Sequence, residues 1–277
     1  MRRVDERQAT HPAAKQILAI LDAGEYAAPS GARVPIGALQ AAAEEGTRLY
    51  GPAALEALRA ERARGATPRV EVIDATTQEG AQRFADANAV ILNFASARNP
   101  GGGFFGGAKA QEEELCRCSG LYRTLLRQPE YYEVHRAERT LLYSDRLIHS
   151  PGVPFFRLAA KAPFLEAPFT VGVITAPAPN AGAIRRNRPE EASELEVTFE
   201  RRWRNVLAVA AERGHRVAVL GAWGCGAFRN DPAMVAATAA RALEAGVAAP
   251  LERVVFAIPD RGKIGRANHA AFRAALA

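Results

Sequence analysis

Short runs rich in valine and isoleucine recur along the chain at 70–73, 90–92, 147–149, 171–174, 217–220 and 254–258, and helical patterns separate several of them. Two of the intervening helices announce their starts. Thr76 stands three residues before Glu79, the spacing of a capping box, and Asp231 precedes Pro232 in a segment that Gly246 closes. Strand alternating with helix predicts an α/β fold, a mixed and largely parallel sheet flanked by helices. The stretch 141–149 is placed to add an antiparallel member. Ligands of such sheets sit beyond the carboxyl ends of the strands.

Residues 11–65 read as helical throughout, with Ala14, Ile17, Leu18, Ile20 and Leu21 in one stripe. Pro35 and Pro52 are spaced as first-turn prolines of two further helices. The predicted organisation is therefore a helical N-terminal extension over 1–66 packed on a main domain over 67–277. A chain of 277 residues, 48% of them apolar, is long enough for one large core, which excludes disorder as its main state. The segment 176–191 reads as a long polar loop.

Gly, Pro or a charge interrupts every apolar run before membrane-spanning length, and the basic start at Arg2 and Arg3 has no apolar region behind it. Three cysteines, Cys116, Cys118 and Cys225, make an odd count that argues against a disulfide framework. These readings predict a cytoplasmic protein without membrane contact. The formal charge of +6 favours anionic ligands, although no lysine-rich arm of the nucleic-acid-binding kind is present.

The stretch from Leu92 to Arg117, LNFASARNPGGGFFGGAKAQEEELCR, follows a strand and leads into a helix predicted to continue past Leu121, Leu125 and Leu126. Gly101, Gly102 and Gly103 permit close backbone approach to a ligand and can present successive N–H donors to phosphate. The loop lacks the Gly-Lys-Ser/Thr ending of a P-loop and the spacing of a dinucleotide fingerprint. Just beyond it stand Gln111, Glu112, Glu113 and Glu114. Carboxylates in a first helical turn are favoured by the macrodipole alone, and successive helical residues diverge by about 100°, so at most two of the three can address one ligand. A second glycine loop, GAWGCGAFRNDP, follows the strand at 217–220. Phe228 within it can present a ring to a sugar or base, or simply fill core.

Taken together, the Asn93 strand end with its triple glycine resembles the ligand loop of macrodomains, which bind ADP-ribose. GGG, seven residues, then QEE resembles the signature of poly(ADP-ribose) glycohydrolases, and GAWGCGAF resembles their second loop. The similarity spans Val70 to the C-terminus and is to the shorter, bacterial-type members. It implies that Glu113 is the catalytic acid and that Glu112 orients the sugar hydroxyls, with Gln111 of the same motif among the substrate-binding residues. It further implies that Gly101, Gly102, Gly103, Gly224, Cys225, Gly226, Ala227 and Phe228 hold the diphosphate and distal ribose, with Asn93 near that ribose. Asp74 is the counterpart of the macrodomain aspartate that reads adenine. The implied partners are poly(ADP-ribose), ADP-ribose and ADP-ribosylated proteins, in the setting of the DNA damage response, for a monomer that needs no cofactor or metal and no direct nucleic-acid contact.

Cleaving a ribose–ribose O-glycosidic bond requires a proton on the leaving oxygen while positive charge develops at the anomeric carbon. Adjacent helical glutamates are poorly placed as the two opposed carboxylates of a usual glycosidase, and a bound diphosphate can itself stabilise the cationic sugar. The expected machinery is thus one acid/base and one positioning group. The resemblance suggests cleavage from chain ends, provided a terminal element closes over the distal ribose. Two alternatives stay open on the residues: a non-catalytic ADP-ribose-binding module and a hydrolase of mono-ADP-ribosylated protein.

Other constellations carry less. Cys116 and Cys118 point about 200° apart on a helix and lack a second pair at zinc spacing. His11, His135, His149, His215 and His269 are scattered without a partner motif. Tyr131, Tyr132, Phe155, Phe156 and Trp203 read as core more readily than as a nucleic-acid surface. Arg185, Arg186 and Arg188 could meet neighbouring units of an anionic polymer, against the plainer reading of a solvated loop.

Overall fold

A computed structural model describes residues 10–61, 67–246 and 250–277. Its centre is a seven-stranded sheet made of β3 (Arg48–Tyr50), β4 (Arg69–Ile73), β5 (Ala89–Ala95), β6 (Leu147–Phe155), β7 (Phe169–Pro177), β8 (Val217–Leu220) and β9 (Arg253–Ala257). The spatial order is β3-β6-β7-β5-β8-β9-β4. From β7 through β5, β8 and β9 to β4 the pairing is parallel. The remaining pairs, β6 with β7 and β6 with β3, are antiparallel.

Alternation along the central strand explains why both faces are covered. On β5, Ala89 and Ile91 join one apolar cluster while Val90 and Leu92 join the other, so each face needs its own layer of helices. One layer contains α1 (Pro12–Ala23) and the short helices α5 (Gln111–Cys116) and α6 (Leu121–Leu125); the other contains α9 (Leu195–Glu212) and α10 (Pro232–Glu244). The Thr76–Glu79 capping box opens α4 (Thr77–Phe84), and the Asp231 side chain accepts from Ala233 N to open α10.

The N-terminal segment is not helical throughout. Between α1, α2 (Gly37–Gly46) and α3 (Pro52–Glu61) lie β1 (Glu25–Ala27), β2 (Arg33–Pro35) and β3. Gly24, at φ +70°, ends α1, and its N–H donates to Ile20 O. Pro35 closes β2 instead of opening a helix, whereas Pro52 does open α3. Three-residue strands leave no hydrophobic period to read, and β3 exists only because β6 offers it an edge.

Two further expectations are corrected. The helix predicted across 111–126 breaks between α5 and α6, because Phe156 N donates to Cys118 O and Gly120 N donates to Pro154 O, stitching the break to β6. The polar loop at 176–191 contains the end of β7, then α8 (Ala181–Asn187), capped by the Asn180 side chain on Ala183 N, and the start of a 3₁₀ turn over Pro189–Glu194. α7 (Pro129–Ala137) and α11 (Gly262–Ala275) complete the elements used below.

Candidate active site

A cleft of about 1060 Å³ opens over the carboxyl ends of β5, β8 and β9, and both glycine loops line it. Neighbouring strands lie about 4.8 Å apart, so the loops leaving these ends meet the cleft side by side.

The first loop is anchored by α5. Gln111 lies against β5 as if it were a strand partner: its Oε1 accepts from Phe94 N at 2.9 Å and its Nε2 donates to Leu92 O at 2.7 Å. This fixes the start of the helix and aims the next two side chains apart. Glu112 turns to the strand end, where Oε1 accepts from Asn93 Nδ2 at 3.2 Å and Oε2 from Ser96 N at 2.7 Å. Glu113 turns to the loop, where Oε1 accepts from Gly103 N at 2.7 Å and Oε2 from Ala110 N at 3.0 Å. Both are buried, both line the cleft, and they flank Gly102. The Glu114 carboxylate instead accepts from Ala160 N at 2.6 Å.

The glycines are required here for two reasons. Gly101 and Gly102 lie at φ +70° and +58°, and a Cβ on Gly102 would overlap Glu113 Oε1. Burial pushes the Glu112 carboxyl up to about 8; the neighbouring Glu113 acts in the same direction, and hydrogen bonds from Ser96, Asn93 and Gly101 act against it.

Arg117 holds the whole loop, a role that sequence reading missed. Its guanidinium is buried and donates to the carbonyls of Ala108, Phe104 and Gly106 at 2.7, 3.1 and 3.1 Å. No local pattern singles it out, because its partners lie in the glycine loop and the chain around it reads as continuing helix.

The second loop is built differently. Asn230, buried and also unforeseen, donates through Nδ2 to Pro179 O and Gly224 O, both at 2.9 Å. Gly182 N on α8 donates to Phe228 O. Among the described residues, the N–H groups of Gly226, Ala227 and Phe228 have no protein acceptor, and all three residues line the cleft. By contrast, the N–H groups of Gly102 and Gly103 are taken by Asn99 O and Glu113. Unpaired consecutive donors therefore stand at 226–228 of the second loop, whereas Gly102 and Gly103 of the first loop are already engaged. The Phe228 ring is half-buried and lies 6.4 Å from that of Tyr143.

Several predicted binding residues stand behind the cleft wall. Asn93 and Cys225 are buried; Asn93 reaches the wall through Glu112, and the Cys225 thiol donates to Trp223 O. Gly101 packs against Phe104, Cys116 and Tyr122. Asp74 does not line the cleft: its Oδ1 accepts from Asp260 N at 2.8 Å, which holds the turn bearing the lining residues Ile258, Pro259 and Arg261. Asp74 itself is exposed, just past the end of β4, the edge strand beside β9.

The histidines are not all isolated. His149 and His215 face one another through their Nε2 atoms at 2.9 Å, at the end of the sheet opposite the cleft. Cys116 and Cys118 are buried free thiols. No group of three or more His, Cys, Asp or Glu is placed to hold a metal ion among the described residues, and no described helix is long and apolar enough to cross a membrane.

A largely parallel sheet with paired buried carboxylates and a run of free N–H donors in one cleft at its carboxyl edge defines a macrodomain-like glycosidase. A family model described as the microbial-type PARG catalytic domain matches residues 14–158. The chain belongs to this family, the microbial-type poly(ADP-ribose) glycohydrolases. It is similar to the poly(ADP-ribose) glycohydrolase of Thermomonospora curvata, with 42% identity over 99% of this chain and 100% of that one and a TM-score of 0.86. A structure of that glycohydrolase bound to the inhibitor ADP-HPD aligns at 44% identity over 98% and 99% of the two chains, again with a TM-score of 0.86. The Deinococcus radiodurans glycohydrolase in complex with ADP-ribose aligns at 45% identity over 86% of this chain and 96% of that one, with a TM-score of 0.79. No curated protein sequence matches.

Proposed function

We propose that the chain hydrolyses the ribose–ribose O-glycosidic bond of poly(ADP-ribose) and releases ADP-ribose, with Glu113 as general acid and base. The observation that carries this reading is the meeting, in one cleft, of a buried carboxylate pair on α5 with three free consecutive N–H groups at 226–228. The donors suit a diphosphate, and the carboxylates suit the sugar attached to it. The relatives described as bound to ADP-ribose or ADP-HPD support the same ligand class.

In the first half of the reaction Glu113 gives its proton to the leaving 2′ oxygen as the bond from that oxygen to the anomeric carbon breaks. The oxocarbenium-like sugar that forms lies beside the diphosphate, whose negative charge stabilises it. Water then adds to the anomeric carbon and Glu113 takes the surplus proton back. Glu112, bonded to Asn93 and Ser96 at the strand end, positions the sugar hydroxyls. Asp74, whose Oδ1 holds the turn at 258–261 through Asp260 N, is the residue this reading assigns to the adenine.

The same reading takes cleavage to start from chain ends, with Arg261, Ile264 and Asn268, which line the cleft beyond β9, as the residues that would bound the distal ribose. The free thiols accord with a reducing, cytoplasmic setting. Polymer incubated with the wild-type chain should yield free ADP-ribose, whereas Glu113→Gln should bind ADP-ribose and release almost none. Binding without release by the wild-type chain would establish a reader module instead. Consumption of mono-ADP-ribosylated protein with polymer left intact would establish the other hydrolase.

A further inference from the structure

An inference about the leaving part of the substrate rests on the polymer-hydrolysing reading above. Beyond the scissile bond the polymer continues through the 2′ oxygen of the next adenosine ribose. The 5′ phosphorus of that sugar is six covalent bonds from the oxygen, hence within about 9 Å at ~1.5 Å per bond. A second diphosphate must therefore lie at the rim of the cleft, within about one screening length of any charge there.

Arginines adjoin two of the segments that line the cleft. Arg98 adjoins the cleft residue Asn99, Arg229 follows the cleft residue Phe228, and both are exposed. Each of the two loops is gripped by a further arginine: Arg136 Nη1 donates to Arg98 O at 2.7 Å, and Arg185 Nη2 donates to Arg229 O at 3.3 Å. Among the described residues none of these four has a carboxylate partner. Arg188, on the same segment as Arg185, is paired with Glu190 and Glu191, and Arg202 is paired with Asp145. Arg229 also holds φ at +55°, an unusual backbone state for a non-glycine residue, in the loop that carries the free N–H run.

We propose that Arg98, Arg136, Arg185 and Arg229 form a second anion site that receives the diphosphate of the polymer unit beyond the scissile bond. The catalytic cleft recognises one ADP-ribose unit; the arginines recognise that it is attached to another. Their contribution is electrostatic, so it falls with salt, and it is absent for any substrate whose leaving group is neutral.

The test compares poly(ADP-ribose) with an ADP-ribose carrying a neutral aryl leaving group. Arg98→Gln removes one charge while keeping the carbonyl that Arg136 grips, and the Arg98→Gln/Arg185→Gln pair removes two. For the pair, kcat/KM on polymer should fall about 5- to 20-fold at low salt, through KM. The slope of log kcat/KM against log salt should become shallower by about 0.7 for each phosphate that no longer meets an arginine. Affinity for free ADP-ribose and turnover of the aryl substrate should stay within about twofold of wild type. Unchanged kinetics on polymer would overturn the proposal, as would an equal loss on both substrates, which would mean that the arginines only brace the loops. If the wild-type chain cleaves the aryl substrate but not polymer, the polymer reading itself fails, an outcome seen before any variant is made.

Discussion

Replacing Gly102 by alanine should damage catalysis far more than stability. The residue sits at φ +58°, where a side chain costs about 1–2 kcal/mol, and the added Cβ would overlap Glu113 Oε1 while standing 3.0 Å from Glu112 Oε2. The backbone around it is pinned by Gly102 N on Asn99 O and by Arg117 on three loop carbonyls, so the Glu113 carboxylate is the part that moves. A displacement on the order of 1 Å breaks its bond to Gly103 N and misplaces the acid, which lowers kcat about 100-fold, or about 2.7 kcal/mol of barrier. The melting temperature should fall only about 2–6 °C at ~2–3 °C per kcal/mol. Gly107→Ala serves as the control, since nothing lies within 4 Å of its Cβ position and its φ is not positive. Rates of ADP-ribose release from polymer, measured beside thermal melts, test the argument. A Gly102→Ala protein with wild-type kcat, or a Gly107→Ala protein with the same loss, would refute it.

Arg117→Ala should cost about 2–4 kcal/mol in denaturant unfolding and lower kcat, because three loop carbonyls, that of Phe104 buried, lose their donor; Arg117→Lys should rescue little, since one ammonium cannot span all three. The raised Glu112 carboxyl should give kcat/KM an alkaline limb near pH 8 that Glu112→Gln abolishes. Its folded value exceeds the ordinary carboxylate value of 4.5, so its contribution to stability declines as pH climbs from about 4.5 to about 8, and the variant's unfolding midpoint should be flatter over that window. His149 behaves with the opposite sign: burial lowers it to about 3, with His215 and Arg213 acting in the same direction, so the unfolded chain binds the proton first. Stability should therefore fall as pH drops from about 6.5 toward 3, and His149→Leu should flatten that acid limb; an unchanged limb would place the acid sensitivity elsewhere.

The main strands were legible because their β-branched runs are short and bounded, as at 217–220, where the run and the strand coincide. The small strands before them were not. Arg48, Leu49 and Tyr50 have no period of their own and become a strand only when they meet His149, Ile148 and Leu147 across the sheet. The helix reading across 111–126 followed a genuine leucine pattern, yet contacts with β6 around Cys118 and Gly120 outweighed it. His149 and His215 lie 66 residues apart and looked unrelated; the sheet brings their rings together.

Chain order alone determined which residues could do chemistry: a glycine run needs no partner to be permissive, and consecutive glutamates in a first helical turn must diverge wherever the helix is put. Tertiary structure decided the rest, because direction and burial are properties of packing. It set Glu112 toward Asn93 and Glu113 toward Gly103, tied Asp74 Oδ1 to the backbone of Asp260, and left unpaired donors at 226–228 of the second loop. It also called on Arg117 and Asn230, whose importance lies wholly in distant carbonyls that only the folded chain brings within reach.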